Sequence, residues 1–300
     1  MAWREWPLVV FTLLGQLATG VYLFFVLPVV FSGRPLDTAE GLRPLLDVLG
    51  GVIALLGVAA AASFFHLGRP FRAPNALSNL RTSWLSREIL FELLFLLSMA
   101  VLFVLAWFGK GEGAPAKVVA VLAGVCGLFF LVSMARVYMV PGVPAWKGAA
   151  TPFAFVMATL ILGSLGTLAI NAPISGVYLG GPGPLLLSPS WLRALTVIAA
   201  ALVALGVVSC VLLASGRGVL RPRPAASLKP AVVSPAPFFA LRVALLAGGG
   251  TVLLAVLRSE IGGGPGTRGG ASLVWVAFAL AAVSELLARF EFYGLGDGRR

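Results

Sequence analysis

Trp6-Pro-Leu-Val-Val-Phe-Thr-Leu-Leu-Gly-Gln16-Leu-Ala-Thr-Gly20-Val-Tyr-Leu-Phe-Phe-Val-Leu-Pro-Val-Val-Phe-Ser-Gly33 runs from Glu5 to Arg34 without a charged side chain. About 20 apolar residues suffice for a helix to cross the hydrocarbon core of a bilayer, so this stretch reads as a transmembrane helix over approximately 7–32. It is too long for the apolar part of a signal peptide and lacks a small-residue cleavage site, so it is expected to stay in the mature chain.

The rest of the chain is written in the same manner. Of its 300 residues 59% are apolar and 11% charged, and the mean hydropathy is +1.01. A soluble domain carries charge on about a quarter of its residues, so this composition excludes an ordinary soluble enzyme. Seven further apolar stretches read as spans at approximately 45–67, 86–108, 117–138, 150–170, 191–215, 236–257 and 271–290. The expected fold is all-α: one polytopic transmembrane domain over 1–300, eight helices in a bundle. The 36 Gly and 20 Pro residues suit closely packed, kinked helices, because small residues let backbones approach in lipid. Gly68 and Pro70 are expected to stop the second span, Ser86 to cap the third, and Asn171-Ala172-Pro173 to break the fifth. No internal repeat is visible.

The net charge is +11. If the spans alternate in direction, fifteen of the 22 Lys and Arg residues fall on the face holding both termini and seven on the other. The positive-inside rule then puts the termini in the cytoplasm. The basic residues sit between spans, where lipid head groups and a partner subunit are their expected counter-charges and nucleic acid is not.

Two Cys and one His are too few for most metal chemistry. Iron-sulfur and zinc sites take about four ligands, and His66 alone cannot hold a haem between two histidines, so neither metal nor haem is expected in this chain.

Polar residues at membrane depth are costly and become functional candidates by default. The second span leaves the membrane at His66 and the third re-enters at Glu88, which puts the only histidine and a carboxylate on one face. Glu92 follows Glu88 by one helical turn. A plainer reading is that Glu88 and His66 complement the dipoles of their helix ends. Gln16 reads as an interhelical hydrogen-bonding residue, and Glu285 with Arg289 as an ion pair within one helix. Trp3, Trp6, Trp84, Trp107, Trp146 and Trp191 fall at span ends, as an interfacial aromatic belt does.

Several of these residues sit in recognisable blocks: Glu5-Trp-Pro-Leu-Val-Val-Phe-Thr-Leu-Leu-Gly-Gln16, His66-Leu-Gly-Arg-Pro-Phe-Arg72-Ala-Pro-Asn75-Ala-Leu-Ser78, and Ser86-Arg-Glu88. Arg136-Val-Tyr138, Val143-Pro-Ala-Trp146, Thr151-Pro152 and the stretch from Glu285 to Tyr293-Gly294 follow. In order and spacing the sequence resembles the membrane anchor subunits of dimethyl sulfoxide reductases over nearly its whole length. The resemblance implies a haem-free anchor in the bacterial or archaeal cytoplasmic (inner) membrane. It would oxidise quinol, menaquinol in that family, and pass the electrons to an iron-sulfur subunit that serves a molybdopterin catalytic subunit. The anchor would be a part of that oxidoreductase without being its catalytic subunit. His66 and Glu88 match the histidine and glutamate implicated at the quinol site and are the expected proton acceptors. Arg72 or Arg87 could stand beside Glu88 as a counter-charge, and Asn75 or Ser78 could orient a quinol hydroxyl. The expected docking face for the partners holds Arg69, Arg72, Arg81 and Arg87. The competing readings are a transporter, which would place its polar groups and broken helices near the midplane, and an anchor with no quinone site.

Overall fold

The computed structural model describes residues 5–33, 39–66, 77–139, 146, 148–177, 187, 189–216, 236–263 and 268–297. Among the described residues there is no strand, and eight helices are long and apolar enough to cross a membrane. They are α1 (Trp6–Phe31), α2 (Ala39–His66), α3 (Trp84–Trp107), α4 (Ala114–Tyr138), α5 (Ala150–Val177), α6 (Pro189–Gly216), α7 (Ala236–Gly263) and α8 (Arg268–Asp297). Helices are the expected outcome, because in hydrocarbon every backbone N–H and C=O must be satisfied within the protein.

Local sequence explains where these helices bend, start and stop. Within α1 the turn Tyr22–Val26 is π-helical, and the Leu27 N–H donates five residues back to the Tyr22 carbonyl. Pro28 has no N–H to give to the Phe24 carbonyl four residues earlier. That carbonyl instead accepts from Trp191 Nε1 of α6 at 3.4 Å. Ser83, not Ser86, caps α3: its extended backbone precedes the first helical residue, and its hydroxyl accepts the Ser86 N–H at 3.2 Å. Ser86 is buried inside the first turn. The expected break at Asn171-Ala172-Pro173 does not occur, and α5 continues to Val177. A proline is tolerated there because neighbouring groups can re-satisfy the freed backbone in a membrane helix. Gly68 and Pro70 lie outside the described residues.

The helices pack as two rings of four. α1, α2, α3 and α4 contact one another in that order and close through α4 on α1; α5, α6, α7 and α8 do the same, closing through α8 on α5. The rings join along α1 and α5. These two helices are the most buried, with 61% and 72% of their span residues inside, whereas α7 has 22%. On the periphery Leu97, Val104, Val118, Leu122, Leu212 and Leu254 point outward. Lipid accepts such side chains as readily as a protein core does.

Because lipid removes the usual hydrophobic drive between helices, close packing has to hold the rings together. At the α1–α5 crossing Gly20 lies against Gly163 and the Thr159 carbonyl, and a Cβ on either glycine would strike the other helix's backbone. Tyr22 of α1 ties the first ring internally by donating its hydroxyl to the Ala120 carbonyl of α4, with its ring edge-on to Phe95 of α3 at 5.4 Å.

Gly20→Val should therefore force α1 and α5 apart and cost about 1–3 kcal/mol, as overpacking does. The midpoint of thermal unfolding in mild detergent should fall. Gly57→Ala, at a position facing open space, should leave that midpoint where it is.

Candidate functional site

The inward stripe of α3 consists of Glu88, Glu92, Phe95, Met99, Leu102 and Ala106. The alternation of four and three residues keeps one helix face against its neighbours, so the two carboxylates occupy the first positions of a stripe that is otherwise apolar. Glu88 is 2% and Glu92 4% exposed. Each has an Oε1 with no hydrogen-bond partner. A carboxylate serving only the helix dipole would remain at the surface, where it costs nothing to hydrate, whereas an unpaired buried oxygen costs free energy. The burial therefore speaks against a role confined to the helix dipole.

Toward the membrane face at which α3 begins lie two buried phenols, Tyr138, the last residue of α4, and Tyr293, near the end of α8. The Tyr293 hydroxyl donates to the Tyr138 hydroxyl at 3.0 Å and lies 3.4 Å from both Thr12 Oγ1 and the Leu8 carbonyl of α1. Aromatic rings surround the pair: Trp146 and Phe292 stack with centroids 5.0 Å apart, and both meet Tyr138 edge-on. Trp146 also donates its indole N–H to the Phe292 carbonyl at 2.9 Å. It thus pins the end of α8 to the segment before α5, and packs inward rather than in an interfacial belt.

One turn deeper, Arg289 of α8 is buried against the α1–α5 crossing. Its Nη2 donates to Gln16 Oε1 at 2.9 Å, and Gln16 Nε2 donates to the Phe155 carbonyl at 3.2 Å. Its Cζ lies 3.8 Å above the Phe155 ring. Gln16 is thus the interhelical link its sequence position suggested. Glu285 acts on Arg289 electrostatically, but no contact ion pair forms between them, because the guanidinium reaches away from its own helix to Gln16. Among the described residues, the contact ion pair on this helix is Glu291 with Arg242 of α7, at 3.5 Å.

The residues singled out in the sequence are brought together only in part. Glu88 heads the buried stripe; Ser78 and Arg81 are exposed. Arg87 donates to the Leu80 and Arg81 carbonyls at 2.9 and 2.6 Å and stacks on Trp84 at 4.3 Å, so it braces the connection into α3. His66 is the last residue of α2, but its side chain lies outside the described residues, as do Arg69, Arg72 and Asn75. Sequence reasoning passed over Tyr138, Tyr293 and Thr12. Two tyrosines at the ends of apolar spans resemble belt residues, and only the order of the rings turns them inward.

The family model for the DMSO reductase anchor subunit (DmsC) matches residues 1–295. The protein belongs to this family. A component of the anaerobic dimethyl sulfoxide reductase of Escherichia coli is 30% identical over 305 residues, covering 98% of the present sequence and 95% of its own length. The corresponding component of the anaerobic dimethyl sulfoxide reductase of Haemophilus influenzae is 32% identical over 161 residues, 54% of the present sequence and 56% of its own. A component of the sulfite dehydrogenase of Allochromatium vinosum is 34% identical over 190 residues, 57% of the present sequence and 54% of its own. The match thus spans little more than half the length of two of these relatives and nearly all of the third. No solved structure matches the sequence. Membership makes this protein a multi-pass membrane anchor subunit.

Within this anchor, Gln16→Leu should leave the Arg289 guanidinium without its acceptor. The cost should be about 1–3 kcal/mol, that of a stranded buried donor, read as a lower thermal midpoint of the purified protein. An unchanged midpoint would mean that Arg289 finds another acceptor.

Proposed function

We propose that this protein is the haem-free, quinol-oxidising anchor of a molybdopterin and iron-sulfur oxidoreductase. Quinol, with menaquinol the expected form, enters laterally from lipid, and its head group lodges between the end of α2 and the start of α3. The observation that carries this reading is the pair of buried carboxyls on α3, each with an unpartnered oxygen, in a family of reductase anchors.

Oxidation releases two electrons and two protons. The electrons leave to the iron-sulfur subunit. The protons need acceptors where the electrons depart, and a carboxylate and an imidazole are the side chains suited to general-base work near neutral pH. Glu88 takes one proton and His66 the other. The quinol supplies the redox chemistry; the protein supplies position and proton acceptors. In this reading Asn75 or Ser78 orients a quinol hydroxyl, and Arg72 or Arg87 stands beside Glu88 as a counter-charge. Ser78 is exposed, and Arg87 is already engaged with the Leu80 and Arg81 carbonyls.

The partner subunits dock on the membrane face that holds Arg69, Arg72, Arg81 and Arg87, because the electron acceptor must approach the quinol at that end. The excess of Lys and Arg on the same face argues that it is cytoplasmic. A transporter would spread its ionisable groups toward the midplane; here the carboxylates lie in the first turns of α3, which disfavours that reading.

Glu88→Gln and His66→Ala should each slow quinol oxidation by a factor on the order of a hundred, the range of lost general-base assistance. A soluble dye should still reduce the assembled catalytic subunits at the wild-type rate. Wild-type quinol turnover in Glu88→Gln would remove Glu88 from the mechanism. Charge reversal at Arg69 and Arg81 together should release the soluble subunits from the membrane, and a complex that stays intact would put the docking face elsewhere.

A further inference from the structure

We propose that the outer groove between α3 and α4 binds an anionic phospholipid, its phosphate held by Arg87 and Arg136 beside Trp84 and an acyl chain lying along Phe91, Phe129 and Val132. The site is on the lipid side of these helices and does not depend on the quinol reading.

Two contacts fix the register of α3 against α4. Phe91 of α3 stacks on Phe129 of α4 with centroids 4.9 Å apart, and the Arg136 guanidinium carbon lies 5.5 Å from the Trp84 ring. Trp84 is the first residue of α3 and Arg136 is two residues from the end of α4, so both sit at one membrane face. Trp84, Arg87, Phe91 and Leu94 recur at spacings of three and four and share one stripe of α3, as Val125, Phe129, Val132 and Arg136 do on α4. The α4 stripe is exposed along its whole length. An apolar stripe of this kind on a membrane helix lies against lipid chains.

The head of the groove is cationic and unbalanced. The Arg87 Cζ lies 4.3 Å from the Trp84 ring centroid, so one indole gathers two guanidiniums. Among the described residues neither arginine forms an ion pair, and Arg136 has no hydrogen bond. Arg87 gives Nε and Nη2 to the Leu80 and Arg81 carbonyls, which fixes its plane and leaves Nη1 unbonded. Glu88, the carboxylate next in sequence, is turned into the bundle and buried. Two cations gathered at one ring repel each other, and an anion between them removes that cost.

A phosphate suits such a pair, because its oxygens accept several N–H donors at once. A free phosphate would use the head of the groove alone. A phospholipid also covers the apolar stripe directly below, where Phe129 and Val132 are 50% and 48% exposed. Basic residues at the level of the head groups attract anionic lipids. An acidic segment of a soluble partner pairs with arginines but cannot follow the groove into the hydrocarbon layer, so a lipid fits both halves of the site. Arg87 then belongs to the lipid, and the docking face keeps Arg69, Arg72 and Arg81.

The test uses the whole chain, purified in mild detergent, with phosphatidylglycerol, phosphatidylcholine or inorganic phosphate added. Phosphatidylglycerol should raise the midpoint of thermal unfolding and remain bound in native mass spectrometry, whereas the other two should leave the midpoint where it is. Arg136→Gln, at an exposed position, should need on the order of tenfold more phosphatidylglycerol for the same rise, the effect of losing one charge-assisted contact. Trp84→Leu, which removes the ring that gathers the guanidiniums, should weaken binding in the same direction. Lys117→Gln, at the opposite end of α4, should bind as the wild type does. Equal protection of Arg136→Gln and the wild type would overturn the site. An equal loss in Lys117→Gln would do so too, since the lipid would then be responding to net charge. A rise with inorganic phosphate alone would mean an anion seat that needs no lipid. If Arg136→Gln keeps its lipid but releases the soluble subunits from the membrane, an acidic partner segment occupies the arginines instead.

Discussion

The backbone contact between Gly20 of α1 and Gly163 of α5 is the constraint on which the polar interior depends. In lipid, helices gain little by hiding apolar surface from one another, so they are held by close packing and by hydrogen bonds between them. The absence of two side chains lets α1 and α5 touch, and that approach joins the two four-helix rings. One turn before Gly20, Gln16 comes within reach of the Phe155 carbonyl, and its other amide atom receives Arg289 from α8. A wider crossing would leave the glutamine and the arginine facing each other across a gap, each buried and unpaired.

The buried polar groups separate into two kinds. Gln16, Trp146, Tyr22 and the hydroxyls of Thr12, Thr19 and Thr159 have their hydrogen bonds, to carbonyls of their own or neighbouring helices. Their cost is met and they hold the bundle. Glu88 and Glu92 each leave an oxygen unpaired, and Arg242 and Arg289 each leave an Nε unpaired. Ser133 and Thr167 also leave one atom unpaired, but these groups are uncharged. Charged groups with unmet hydrogen-bonding capacity are the expensive ones, and among the described residues the two carboxylates of this kind share one inward stripe on α3.

The two rings repeat in their order of packing but not in their chemistry. The third helix of the first ring brings two carboxylates inward, whereas the third helix of the second ring, α7, carries Arg242 paired to Glu291. The same architecture therefore holds unpaired carboxyls on one side of the α1–α5 junction and an ion pair between helices on the other.

Composition and run length alone were enough to determine an eight-helix membrane protein, because the cost of an unsatisfied backbone in hydrocarbon leaves so apolar a sequence no other way to cross it. Glu88, Glu92 and Gln16 were also legible, since a polar residue at depth stands out against an apolar run. Helix ends were less so: α3 is capped at Ser83 and α5 runs through Pro173, because an end is set by which neighbouring group satisfies the backbone. The ring order has no repeat in the sequence, since in lipid many apolar surfaces pack equally well. The pairings of Arg289 with Gln16, of Tyr293 with Tyr138 and of Trp191 with the Phe24 carbonyl join residues far apart in the sequence. Only the tertiary structure decides them, because a hydrogen bond forms with whatever group the packing brings within about 3 Å.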